Sequence, residues 1–349
     1  MKSNMTRFCF GALALGGGVS TVFVGGVLLS ASPVAREVDS LLNVSTPKEG
    51  SSVLRFTEGY AISRFGKHGH NPCAHNDGID IADTIFLHGD SFIEALQVPD
   101  ECKPDVVLAK CLGGNIGVIG IGRSGAGFPS MIVRARAYEK AFGAPKYHLF
   151  FSANMDNDVF GDEGDEFVRT TDGIVQCMPK ASGGRQKMIN VINRFHFNCL
   201  LSCWTDIQVI LRKRWHFLPR FHKTKKRTSF PRQKDLAGEL NFLCGEMRKD
   251  ISAPVIVVYC PSVPAIRHGQ IVREDENHVD AGIAKEIFSA NGIAMIDVSL
   301  ALIEHWNAHG GFVRGFSNNL GPSGGHLNAE GIEVVFSEVA SQLKERYGL

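Results

Sequence analysis

Residues 84–96 read TIFLHGDSFIEAL: a short apolar run, Thr84–Leu87, then the turn His88-Gly89-Asp90-Ser91, then an apolar helix start, Ile93–Leu96. A run of this kind closed by Gly-Asp reads as a strand covered on both faces, because such a strand needs no polar alternation. A serine that leaves a strand and enters a helix stands on a tight turn at the helix N-terminus, where its own N–H has no helical acceptor. Strand, exposed serine and helix within thirteen residues make the rest of the chain a search for neighbours of that strand.

Outward from this stretch, comparable apolar runs recur at Ile116–Ile121, Tyr147–Ser152, Pro254–Cys260 and Ile293–Val298. Ser130–Phe142 and Lys234–Arg248 read as helices between them. The clearest helix is the last, where Ile332, Val335, Phe336, Val339, Ala340 and Leu343 fall at i, i+3, i+4, i+7, i+8 and i+11 on one apolar stripe. Strands alternating with helices predict a parallel sheet, here an α/β protein built as a three-layer α/β/α sandwich on five parallel strands. Residues 180–233 do not fit that alternation and read as an insertion, since connections in such folds are short. The insertion carries an apolar stretch from Phe195 and the basic aromatic segment RKRWHFLPRFHKTKKR at 212–227.

The N-terminus is of different composition. Residues 1–7 contain Lys2 and Arg7, and residues 8–31 then contain no charge at all. That length suits a transmembrane anchor, with a cleavable signal peptide as the other reading, supported by the small residues Ser30, Ala31 and Ala35. Positive charge ahead of the segment leaves 1–7 as a cytoplasmic tail and puts the remainder outside the cytoplasm, on a periplasmic or extracellular face, secreted if the segment is cleaved. Residues 32–82, polar and weakly periodic, read as a stalk and leading loop before a domain at 83–349.

A net charge of +1 argues against a nucleic-acid partner, although ten Lys/Arg and no acidic residue lie between Leu211 and Lys234. Within the insertion, residues 195–227 could lie on a membrane surface, bind an acidic polysaccharide, or form a solvated lid. Eight of the nine cysteines lie outside the apolar segment, an even number that an oxidising compartment could pair or that could remain free thiols. His68, His70, Cys73 and His75 have metal-binding side chains, but spacing this tight seldom surrounds one ion, so a polar loop is expected and no metal. Asp156 and Asp158 are read as capping the turn that follows Asn157.

In a parallel sheet the loops at the carboxyl ends of the strands build the site. Those loops hold Ser91 after the first strand, Gly122-Arg123-Ser124-Gly125-Ala126-Gly127 after the second, and Asn154-Met155-Asp156-Asn157-Asp158 after the third. Gly324-Gly325-His326-Leu327-Asn328 precedes the last helix. Taken in order, the blocks FLHGDSF at 86–92, GIGRSGAG at 120–127, MDNDVF at 155–160 and GGHLNAEG at 324–331 resemble those of the SGNH hydrolases, also called GDSL-type esterases/lipases. The resemblance covers about residues 83–343 without the insertion, and implies a flavodoxin-like sheet order.

The resemblance makes Ser91 the nucleophile and His326 the general base. Its oxyanion donors would be the N–H of Ser91, the N–H of Gly125, with Gly122 and Gly127 close by, and the amide of Asn157. No cofactor is needed. The implied substrate is an acylated carbohydrate or lipid hydroxyl, hydrolysed through an acyl-serine, with acyl transfer as a variant of the same chemistry. The sequence departs from the family where an aspartate usually stands three residues before the histidine: here that position is Ser323. Three readings follow: a Ser-His dyad aided by a backbone carbonyl, recruitment of another acid such as Asp297, or a non-catalytic carbohydrate-binding or assembly protein that retains the fold.

Overall fold

The computed structural model describes residues 34–55, 59, 61–73, 78–160, 167–170, 173–177, 235–267, 270–275, 278–315 and 325–349. The apolar segment 8–31, the insertion 180–233, His75 and Ser323 lie outside the described residues. Among the described residues no helix is long and apolar enough to cross a membrane.

Five strands form the central sheet: β1 (Thr84–Gly89), β2 (Gly117–Gly122), β3 (Tyr147–Ser152), β4 (Val255–Tyr259) and β5 (Ala294–Asp297). Their order is β5-β4-β3-β1-β2 and every pair is parallel, with Phe86 beside His148 and Val257 beside Phe150. This is the flavodoxin-like order. The apolar runs are continuous because both faces are covered. Phe86, Phe150 and Val257 pack into one core with helices α3 (Phe128–Phe142), α5 (Leu236–Lys249) and α6 (His278–Ala290). Ile85, Leu87, Leu149, Phe151 and Val258 pack into the other with α2 (Pro104–Cys111), α7 (Ser299–His309) and α8 (Ala329–Tyr347). The short helices α1 (Ser91–Glu94) and α4 (Met155–Phe160) leave the ends of β1 and β3.

The terminal stripe behaves as its spacing requires. Ile332, Val335, Phe336, Val339, Ala340 and Leu343 are all buried, and Phe336 stacks on Phe151 of β3 with ring centroids 5.9 Å apart. Asn328 caps α8, its side-chain oxygen accepting the Gly331 N–H at 2.8 Å.

The described residues of the segment 32–82 do not form a stalk. They carry two antiparallel hairpins, Arg36–Val38 with Ser45–Pro47 and Ser52–Arg55 with Ala61–Arg64, packed onto the sandwich. Leu42 and Val44 enter the core beside α3, and Arg134 of α3 donates to the Ser45 carbonyl at 2.7 Å. Val53 and Phe65 pack with Leu96 just after α1. Strands of three and four residues are too short to show a period, and here Val38 and Ile62 face outward while Thr46 and Ser63 are buried, so composition alone mimics a loop.

The histidine cluster joins this packing. His68 Nδ1 lies 2.6 Å from Asp39 Oδ2, and His70 Nε2 lies 3.0 Å from the Tyr138 hydroxyl. Among the described residues no group of three or more His, Cys, Asp or Glu is placed to hold a metal ion. The six described cysteines, Cys73, Cys102, Cys111, Cys177, Cys244 and Cys260, are free thiols.

If the first hairpin is part of the core, Leu42→Ala will destabilise the protein by about 2–5 kcal/mol, the range for emptying a buried leucine site. Urea unfolding of the full chain measures this; a change within about 0.5 kcal/mol, the range of surface substitutions, would show that the hairpin merely rests on the domain.

Candidate active site

The turn after β1 is organised by Asp90. Its carboxyl accepts the Phe92 N–H at 2.8 Å and its carbonyl accepts the N–H groups of Ile93 and Glu94 at 3.2 and 3.1 Å, which caps α1. Ser91 is thereby the first residue of α1, half-buried, with its N–H where no helical carbonyl can reach it. The reversal needs Gly89, since a Cβ there would stand 2.3 Å from Cγ1 of Ile93.

The second half of the site comes from 235 residues away along the chain. The loop before α8 is held on both sides of His326 by the main chain: Gly315 N–H donates to the His326 carbonyl at 2.9 Å and Asn328 N–H to the Val313 carbonyl at 3.0 Å. The side chain of Gln97 donates to the Leu327 carbonyl at 2.7 Å. So fixed, the imidazole reaches the serine, with His326 Nε2 2.7 Å from Ser91 Oγ. In the tautomer protonated on Nδ1, Nε2 accepts the serine hydroxyl, the arrangement a general base requires.

Phe92 lies beside the pair, its ring centroid 5.1 Å from that of His326, and the Arg314 guanidinium sits 4.8 Å from the Phe92 centroid. Arg314 is fastened by the carbonyls of Cys260 and Pro261, each at 3.0 Å. Burial pushes the Cys260 thiol up to about 11, so it stays protonated and unreactive at neutral pH. Burial also raises the Asp90 carboxyl above its ordinary range, opposed by the Phe92 N–H and by the positive charges of His326 and Arg314.

The glycine loop places Gly125 third in a turn from Arg123 to Ala126, closed by Ala126 N–H on the Arg123 carbonyl at 2.9 Å, and the φ of +80° at Gly125 suits a type II turn. Asn157 lies on the exposed side of α4, its N–H held by Asn154 Oδ1 at 3.0 Å. Asn154, at the junction of β3 and α4, presents a second amide at the strand end next to the one that bears Ser91.

Asp297 is exposed, and its Oδ1 accepts the N–H of Ser299 at 2.9 Å together with the Ser299 hydroxyl at the start of α7. One expectation changes. Asp158 does not cap a turn on the surface. It is buried, accepting the Ser152 hydroxyl at 2.6 Å and the Asn154 N–H at 3.4 Å, and burial together with the charge of Asp90 pushes its carboxyl up to about 8. The capping belongs to Asn154. Sequence reading missed Asp158 and Arg314 as site residues; the apolar Val159 and Phe160 that follow Asp158 were the one local sign that its face turns inward.

No protein-family model matches the sequence, and no curated protein matches it significantly. Among solved structures the chain is similar to an alpha/beta hydrolase from the metagenome of Lake Arreo, with 14% identity, 75% of this chain and 95% of that one covered and a TM-score of 0.38. It is also similar to a carbohydrate acetylesterase family member from Sinorhizobium meliloti (12% identity, 76% and 99% covered, TM-score 0.36). A third likeness is to an acetyl xylan esterase from Geobacillus stearothermophilus (12%, 76% and 96%, 0.37). Overlaps this loose decide neither substrate nor reaction, and the site itself has to carry both.

Asp158 gives a pH test. Its folded carboxyl is raised from an ordinary 3.8 to about 8, so the protonated form is the one the fold holds. The stability this confers is complete below the unfolded value and is lost as pH rises through the folded one. Asp158→Asn mimics the neutral acid, so its unfolding free energy relative to wild type should grow from about pH 4 to about pH 8 and then level. A difference that stays flat across that window in urea titrations would mean the carboxyl is already ionised in the fold.

Proposed function

We propose that the chain is a serine ester hydrolase of the SGNH type, with Ser91 as nucleophile and His326 as general base. The observation that carries this is the 2.7 Å contact between Ser91 Oγ and His326 Nε2 at the carboxyl end of a parallel sheet. The serine hydroxyl donates to Nε2; as Oγ attacks an ester carbonyl, the proton passes to the imidazole. The tetrahedral oxyanion is taken by the N–H of Ser91, the N–H of Gly125 and an asparagine amide. The imidazolium then returns its proton to the leaving alcohol, and a water activated at Nε2 releases the acid and frees Ser91.

The proposed substrate is a small acyl ester, such as an acetyl group on a carbohydrate or lipid hydroxyl. The Phe92 ring crowding the imidazole supports a short acyl group. If an acceptor hydroxyl replaces water, the same steps make an acyltransferase. Residues 8–31 are proposed to hold the enzyme at a membrane with its catalytic domain outside the cytoplasm, and residues 195–227 to add surface contacts there. One observation favours a non-catalytic carbohydrate-binding role instead: Ser323 stands where the family has its acid, while Asp297 accepts from Ser299.

Hydrolysis of p-nitrophenyl esters from acetate upward by the full chain separates these readings. Turnover abolished by Ser91→Ala and by His326→Ala is expected, with the shortest chains preferred; a wild type as inert as both variants would overturn the hydrolase. The same assay assigns the amide donor, because losing one oxyanion donor lowers kcat by about 10²–10³. Asn157→Ala is expected to show that loss; if Asn154→Ala shows it and Asn157→Ala does not, the donor is the residue at the strand end.

A further inference from the structure

Glu94, the last residue of α1, is buried, its side chain 3% exposed, yet it lies on no path that the proposed chemistry uses. One of its oxygens, Oε2, accepts both the N–H of Ser124, at 3.2 Å, and the Ser124 hydroxyl. The other, Oε1, is paired with the guanidinium of Arg36 in the first hairpin. Ser124 immediately precedes Gly125 in the glycine loop. The start of that loop is also pressed against the end of α1: a Cβ on Gly122 would stand 2.1 Å from the Glu94 nitrogen and 2.6 Å from its Cα. One carboxylate thus ties the loop bearing one oxyanion donor to the helix that bears the nucleophile and another.

We propose that Glu94 is a positioning residue that locks the glycine loop onto α1, fixing the N–H of Gly125 relative to Ser91, with Arg36 supplying the charge that lets a carboxylate do this in a buried place. The inference rests on the esterase reading of the same site. Two N–H groups that converge on one oxyanion must keep their separation to a fraction of an ångström, and backbone loops do not do so unaided. A single oxygen that accepts both the N–H and the hydroxyl of Ser124 pins the Arg123–Ser124 peptide and the Ser124 side chain, so the residue that carries the Gly125 peptide is held at its near end. The pairing with Arg36 offsets the penalty of burying the charge, and makes the N-terminal hairpin part of the site's support.

The test uses the full chain and compares wild type with Glu94→Ala, Glu94→Gln and Ser124→Ala. The readouts are kcat and KM on p-nitrophenyl acetate and the rate at which a fluorophosphonate labels Ser91, each counted per labelled site so that unfolded protein drops out. Glu94→Ala is expected to lower kcat by up to about 100-fold with KM little changed, and to slow labelling by the same factor, because phosphonylation uses the same donors. Glu94→Gln, which keeps an acceptor for Ser124, should recover most of the loss, and Ser124→Ala should fall between. Equal kcat and labelling rates across the set overturn the inference while leaving the esterase in place. If Glu94→Ala does not fold, Ser124→Ala, which deletes a single hydroxyl, decides by the same criterion. A wild type neither active nor labelled at Ser91 overturns the esterase reading and this inference with it.

Discussion

Gly89 and Gly122 are paired in register across the ends of β1 and β2, and the site depends on neither of them having a side chain. A Cβ on the first would meet Ile93 and a Cβ on the second the backbone of Glu94, at 2.3 and 2.1 Å. Their absence lets α1 fold directly over the two strand ends at backbone contact. Ser91 is then held against the sheet instead of on a mobile loop, and the glycine loop that follows β2 starts beside the same helix. β1 has no freedom to adjust, with both edges paired and Ile85, Phe86 and Leu87 fully buried. The geometry of the proposed nucleophile is therefore inherited from the β1 strand end, which is paired on both edges.

What the sequence made legible follows from burial on two sides. The five strand runs stand out because a strand covered by helices on both faces is apolar throughout, and α8 stands out because six residues on one stripe face the core. Ser91 and His326 were found by position, one leaving a strand and one entering a helix, and the fold brings them together. The hairpins at 36–64 were hidden because each strand is three or four residues long and its buried positions include polar residues such as Thr46 and Ser63. Asp297 looked like a free acid because nothing in the sequence shows that Ser299 will claim it. The same limit concealed a polar chain under β1, where His88 Nε2 lies 2.9 Å from His148 Nδ1 and His148 Nε2 lies 3.0 Å from Glu139. Burial keeps both histidines neutral, so the Nε2 N–H of His148 donates to the Glu139 carboxylate and His148 Nδ1 accepts from the Nε2 N–H of His88. Histidines inside apolar strands carry no sequence mark of such partners.

The departure at Ser323 bears on how the base is held. In a serine protease triad the acid does two things: it keeps the imidazole in the right tautomer and orientation, and it stabilises the imidazolium. In this chain much of the orientation comes from the backbone around His326, where Gly315 N–H and Asn328 N–H pin the loop on either side and Gln97 holds the next carbonyl. The charge has a partial substitute too. Asp90, beside the nucleophile, interacts favourably with a protonated His326, though burial resists its own ionisation.

These two substitutes are unequal. Main-chain anchoring fixes the loop that places Nε2 against Ser91 Oγ, but hydrogen bonds to the backbone on either side do not by themselves set the tautomer of the imidazole. Stabilising the imidazolium through a carboxyl that burial holds partly back is weaker, which penalises any step that must keep the charge for long. A less stabilised imidazolium is a stronger acid and its neutral form a weaker base, so the cost falls on removing the serine proton and not on protonating the leaving group. On the proposed hydrolase reading, a site anchored by backbone and backed by Asp90 is thus suited to esters over amides, because the more electrophilic ester carbonyl asks less of the attacking oxygen.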